Sequence, residues 1–191
     1  MHSEKNPYSL SIECKDIILR EYQLEDLNQL QVLTWQPEIY GFLSGWNVEK
    51  EVRLDWLKNY EIPENNQFLK RVEEGLDVGD LRLRLGIVLK ETGEFIGWCC
   101  SGIKDDLPAP NREIMYGISK DHRSKGYTTQ AVQGIIQYLF DNTEIKELNA
   151  IALLENGASN RVIQKSNFKF VGEIVIDDEI YNHYKIHKID F

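Results

Sequence analysis

The feature that most constrains this chain is a strand that passes through a short basic loop to a glycine and then directly into a long helix. Residues 113–118 (EIMYGI) read as a strand and residues 119–125 as the loop. Gly126 opens a helix that runs to about residue 141, with Ala131, Ile135, Ile136, Leu139 and Phe140 on its core face. Another strand follows at 148–153. A long helix between two strands is a crossover, and a crossover joins parallel neighbours. At least one parallel pair is therefore built into the chain.

The rest of the pattern is antiparallel. Leu81, Leu83, Leu85, Ile87 and Leu89 alternate with polar or small residues, the period of a half-buried strand. The turn Glu91-Thr92-Gly93-Glu94 leads into 95–100, which completes a hairpin. Two closing strands, 168–176 and 180–189, meet at Asp177-Asp178-Glu179. Upstream, 17–19 is a short strand and 23–34 a helix carrying Leu24, Leu27, Leu30 and Leu33. A second helix is expected over 48–60, closed by Pro63. Residues 61–80 are either a loop or a short helix flanked by loops, and 158–166 is a short helix. The order is strand, two helices, three strands, helix, strand, helix, two strands. It describes an α/β (α+β) chain with a mixed sheet and helices on both faces. No repeat or linker divides the 191 residues, so one domain over 1–191 is expected, with 1–15 a flexible or extended segment.

Composition excludes several function classes. Seven Phe, nine Tyr and four Trp carry too much apolar surface for a disordered chain. Lys plus Arg total 22 and Asp plus Glu 31, a net charge of 22 − 31 = −9. Phosphate-backbone binding needs the opposite sign, so no nucleic acid partner is expected and a cationic one is favoured. The cysteines, Cys14, Cys99 and Cys100, are odd in number, and the adjacent pair points to opposite sheet faces, so reduced thiols of a cytoplasmic protein are expected. The four histidines lack metal-ligand spacing, and no metal is expected. No apolar stretch approaches the ~20 residues that span a bilayer, so no membrane association is expected.

The chemistry concentrates at the loop. A helix N-terminus offers unpaired N–H groups and a positive dipole end, glycine allows close approach to the backbone, and His122, Arg123 and Lys125 add charge. This is either a pyrophosphate site or an ordinary strand-to-helix turn with solvated charges. The glycine-rich signatures of mononucleotide and dinucleotide binding are both absent.

The segment Arg123-Ser-Lys-Gly126-Tyr-Thr128-Thr-Gln-Ala131 resembles the acyl-CoA loop of the GNAT acetyltransferases, above all the ribosomal-protein N-terminal acetyltransferases of the RimJ/RimL type. Three further segments resemble that type in the right order: Asp16 through Asp26, Glu91 through Gly97, and Asn156 through Phe168 with its Ser159, Arg161 and Lys165. Thr128, Gln130, Met115 and Asn167 depart from its usual residues. The resemblance implies a GNAT-like fold, with about seven mostly antiparallel strands and a splayed central parallel pair. It implies direct attack of an amine on acetyl-CoA, without metal. The acceptor would be a protein N-terminus, a polyamine or a drug-like amine, and the protein a monomer or homodimer.

The resemblance also implies roles. The Tyr116 amide polarises the thioester carbonyl, and Gly117 and Ile118 pair with the pantetheine arm. Arg123, Ser124, Lys125, Gly126, Tyr127 and Thr128 hold the pyrophosphate, and Asn156 contacts the pantetheine. Glu113 is the candidate general base; its other reading is a surface carboxylate at a strand start. Ser159 is the candidate proton donor to the leaving thiolate, because the family's usual Tyr is Ile163 here; its other reading is a helix-start hydrogen bond. The acidic groups Asp105, Asp106, Asp177, Asp178 and Glu179 either draw in an amine or form solvated turns. Trp35, Tyr40, Trp46 and the 61–80 segment are candidates for the acceptor side. A catalytically silent acyl-CoA-binding sensor or scaffold is the alternative to an enzyme.

Overall fold

The computed structural model describes residues 10–191. The alternating pattern of the middle of the chain becomes one eight-stranded sheet in the order β1-β2-β3-β4-β5-β6-β8-β7. Its strands are β1 (Ser11–Glu13), β2 (Ile17–Glu21), β3 (Leu83–Leu89), β4 (Phe95–Ile103), β5 (Arg112–Ile118), β6 (Glu147–Leu153), β7 (Lys169–Ile176) and β8 (Glu179–His187). Every neighbouring pair is antiparallel except β5 and β6. The expected sheet of about seven strands is thus present with eight. The extra strand is the three-residue β1, too short to show a period, which extends the edge beside β2. Of the N-terminal segment, residues 1–9 lie outside the described residues.

Among the described residues six α-helices cover the two faces: α1 (Leu27–Thr34), α2 (Pro37–Tyr40), α3 (Lys50–Trp56), α4 (Ile62–Glu73), α5 (Tyr127–Asn142) and α6 (Gly157–Lys165). α5 lays Ala131, Ile135, Ile136, Leu139 and Phe140 against Ile17, Leu19, Leu85, Ile87, Ile96 and Ile114, all nearly inaccessible to solvent. Each of these Ile, Leu and Phe side chains contributes roughly 1.5–3 kcal/mol by burial, so this face anchors the domain. The opposite face carries Tyr22, Val88, Phe95 and Trp98 beneath Leu30, Leu33, Ile39 and Leu57. Trp46 stacks on Trp98 there, with ring centroids 5.1 Å apart.

One helix differs from expectation. Pro63 does not close the 48–60 helix. The chain passes from α3 through a π-turn, Leu57–Glu61, into the twelve-residue α4, with Pro63 in its first turn. The Ile62 N–H donates to the Leu57 carbonyl, five residues back. A wider turn accommodates a ring that has no N–H to give and would crowd a regular helix. Residues 61–80 are therefore mostly helix. No helix among the described residues is long and apolar enough to cross a membrane.

Candidate active site

β5 and β6 share a single ladder position, Glu113 opposite Asn149. Beyond it the two strands part, and a cavity of about 600 Å3 is lined by β5, β6, α2 and the starts of α5 and α6. The direction of the β5 backbone follows from one hydrogen bond: the Ser119 N–H donates to the Ile96 carbonyl on β4, 2.8 Å away. Alternation then turns the N–H and C=O of Gly117 toward β4, and those of Tyr116 and Ile118 toward the opening beside β6. The expected pairing of Gly117 with a pantetheine arm is thereby corrected. Gly117 lines the cavity, but a Cβ there would lie 2.5 Å from the Trp98 ring, and this contact is what requires glycine.

Glu113 lies on the cavity wall and is only 8% exposed. Burial holds its carboxyl up to about 7, while Lys104 and Arg82 pull it down and Asp106 pushes it up. The reading of Glu113 as a surface carboxylate is thus set aside. Tyr116 reaches across the opening, where its phenol donates to the Ser159 carbonyl at 3.1 Å. Burial pushes that phenol well above its ordinary range.

The α5 end is built from unusual backbone. Ser124 and Gly126 have φ of +62° and +82°. A Cβ at Gly126 would meet no atom within 4 Å, so glycine is required by conformation alone. No side chain caps α5, which leaves the N–H groups of its first turn directed at the cavity. His122, Arg123, Ser124, Gly126, Tyr127 and Thr128 line it. Arg123 is held by its donation to the Glu38 carbonyl, 2.8 Å away. Lys125 is exposed and is not among the cavity-lining residues.

At α6, Asn156 is the N-cap, and its Oδ1 accepts from the Ser159 N–H at 3.1 Å. The capping role considered for Ser159 belongs to Asn156, and Ser159 sits in the first turn, facing the cavity. Arg161 and Lys165 line the same wall.

The acceptor-side candidates are rearranged. Trp35 donates to the Val48 carbonyl, Trp46 packs on Trp98, and neither these nor Tyr40 line the cavity. Glu61 and Glu64, from the 61–80 segment, lie 3.9 and 2.6 Å from Arg84 and tie this stretch to β3 instead. The wall there is Glu38 and Ile39, from a four-residue helix that carries no periodic signal, and Phe42 and Leu43 just after it. Asp177 and Asp178, both with positive φ, form the β7–β8 turn. Lys104, which lines the cavity, is paired with Asp106 at 2.5 Å. At this end the Tyr181 phenol is raised by burial and then by Glu179, with Asp177 and Glu155 adding to it and Lys104 opposing. Carboxylates thus gather around this end of the cavity.

Two departures find structural explanations. Gln130 accepts from the Asp16 N–H (2.9 Å) and donates to the Asp16 carboxylate (2.7 Å), which a glutamate would repel. Asn167 sits at φ +68°, a backbone that asparagine tolerates better than most residues.

A model of the acetyltransferase (GNAT) domain matches residues 16–169. The chain is 32% identical over 156 residues to the uncharacterized N-acetyltransferase p20 of Bacillus licheniformis, covering 82% of this chain and 80% of that one. Among solved structures, a GNAT-family acetyltransferase from Bacillus anthracis superposes with a TM-score of 0.75 at 15% identity, over 94% of this chain and 99% of the other. The aminoglycoside acetyltransferase AAC(6')-Ib, solved with paromomycin and acetyl-CoA, gives 0.72 at 16% identity over 92% and 96%. RimL, the ribosomal L7/L12 alpha-N-protein acetyltransferase solved with coenzyme A, gives 0.72 at 16% over 93% and 98%. At these identities the structural likeness is one of fold.

Proposed function

The chain belongs to the acetyltransferase (GNAT) domain family, and from that premise we propose that it transfers an acetyl group from acetyl-CoA to a primary amine by direct attack. The motif run from Arg123 to Ala131 and the segment from Asn156 to Phe168 support a place near the RimJ/RimL type. One observation carries the proposal: a buried carboxyl held at about 7 lies on a cavity whose other end is an uncapped helix start.

The residues present fit the cosubstrate. The α5 amides, the left-handed Gly126 and the Arg123 guanidinium suit a pyrophosphate, and Arg161 and Lys165 add charge for a further phosphate. Bound there, acetyl-CoA supplies the electrophilic thioester. Glu113 takes the proton from the acceptor ammonium, directly or through water, leaving the neutral amine to attack, and a base near 7 is matched to that task at neutral pH. The Tyr116 N–H, free of the β4 ladder, is the donor for the carbonyl oxygen as negative charge develops. The Ser159 hydroxyl, or water, returns a proton to the departing sulfur. Glu155, Asp177 and Glu179 favour a cationic acceptor. Gln130, one of the departures from the family pattern, is accounted for by its tie to Asp16.

Acetyl-CoA is to be incubated with N-terminal peptides, polyamines and aminoglycosides while free thiol is followed. Thiol release with at least one amine is expected. Tight CoA binding with no release from any of them would establish the silent module.

A further inference from the structure

The parting of β5 and β6 has a specific device at its base. Asn149, on β6, is fully buried. Its Nδ2 donates to the Pro110 carbonyl at 2.9 Å and to the Arg112 carbonyl at 3.1 Å. Both acceptors lie just before Glu113, on the β5 side. With both hydrogens of Nδ2 given to carbonyls, Oδ1 is an acceptor, and His183 Nε2 lies 2.8 Å from it. His183 must therefore carry its proton on Nε2. It sits on β8, opposite Ile151, which lines the cavity, and two residues from Tyr181, which also lines it. His183 is 7% exposed; burial and Lys185 lower its pKa, Glu147 raises it, and the ring stays neutral near pH 7.

The placement is informative because the ladder ends here. Glu113 faces Asn149 at the only β5–β6 register position. One side-chain amide thus grips the carbonyl of Arg112, the first residue of β5, and that of Pro110 in the loop before it, and a histidine two strands from β5 fixes its orientation. Neither residue lines the cavity. We propose that Asn149 and His183 are positioning residues, a pin that fixes where β5 and β6 part and so holds the Glu113 carboxyl in its place on the cavity wall. The proposal rests on the reading of Glu113 as the base. Without the pin, the Arg112 and Pro110 carbonyls lose this partner and the start of β5 is free to shift. Displacement of a catalytic group by about 1 Å is enough to lower a rate ~100-fold.

Three variants test the pin: Asn149→Ala, His183→Ala and the conservative His183→Gln, which retains an N–H donor. Steady-state kinetics, CoA calorimetry and titration of the Glu113 carboxyl by 13C NMR are measured on each, with Glu113→Gln assigning the resonance. In the two alanine variants kcat should fall roughly ten- to hundredfold, with CoA affinity within about threefold of wild type. The Glu113 midpoint should move down from about 7 as water reaches the loosened floor. His183→Gln should recover most of both. A folded His183→Ala protein with wild-type kcat and an unmoved midpoint overturns the pin, and so does an equal loss of kcat and CoA affinity. If Asn149→Ala fails to fold, the His183 pair of variants decides. If the wild type acetylates no amine, the reading of Glu113 as a base fails, and the NMR midpoints, measured without substrate, still decide whether the pin holds the carboxyl.

Discussion

A carboxyl that is 8% exposed and accepts no hydrogen bond from an arginine gains by keeping its proton, and Glu113 keeps it up to about 7. Ionisation at neutral pH is then unfavourable to the fold and favourable to the chemistry. The folded pKa is raised above the ordinary 4.5, so the contribution of Glu113 to stability is fully present below about pH 4.5 and is lost as pH rises through about 7. Glu113→Gln removes this dependence. The variant should be more stable than wild type at pH 8, by on the order of 2–3 kcal/mol, and nearly equal to it at pH 4. Thermal melts at the two pH values measure the difference, and equal melting temperatures at pH 8 would contradict the raised carboxyl. The same substitution should lower kcat by ~10²–10⁴-fold, with CoA binding retained. The wild-type rate should rise with pH through about 7. A loss below about threefold in kcat would make orientation, not proton transfer, the contribution of this strand.

At the scale of elements, two junctions of α5 matter: its start, which faces the cavity, and its first turn, which is fastened to the β1–β2 connection. At the start, Gly126→Glu adds a left-handed penalty of roughly 1–2 kcal/mol and a carboxylate where an anion is to sit. CoA binding should be abolished in a protein that still folds, and calorimetry showing unchanged affinity would remove the pyrophosphate from this site. At the fastening, Gln130→Glu places two carboxylates together in place of a 2.7 Å hydrogen bond. A loss of about 1 kcal/mol at neutral pH is expected. Denaturant melts of the two proteins check it, and equal stability would show that the Gln130–Asp16 tie contributes nothing. The π-turn Leu57–Glu61 shows the same principle, since a proline inside a helical pattern can be absorbed by one widened turn as well as by a break.

At the scale of the whole molecule, what was legible in the sequence was what local periodicity encodes. The crossover from β5 through α5 to β6 follows from apolar spacing at Ala131, Ile135 and Leu139, and the hairpins follow from alternation such as Leu83, Leu85 and Ile87. Glu113 was identifiable because a carboxylate stood on the strand before the loop. The features that were not legible join distant residues: His183 meets Asn149 across 34 positions, Tyr116 meets Ser159 across 43, and α2 supplies a cavity wall with only four residues. Net charge, by contrast, was fully legible, and it has a kinetic consequence. With 22 − 31 = −9 overall and Glu155, Asp177 and Glu179 gathered at one end of the cavity, the long-range field attracts cations and repels anions. Salt shortens the reach of that field from ~30 Å at 0.01 M to ~8 Å at 0.15 M. KM for a polycationic acceptor should therefore rise severalfold between those two salt concentrations, with kcat little changed. KM for acetyl-CoA should move much less, because the local attraction of Arg123, Arg161 and Lys165 and the overall repulsion weaken together. Initial-rate measurements across that range decide the point: an acceptor KM that is flat or falls with salt would show that the acidic end of the cavity does not guide the acceptor.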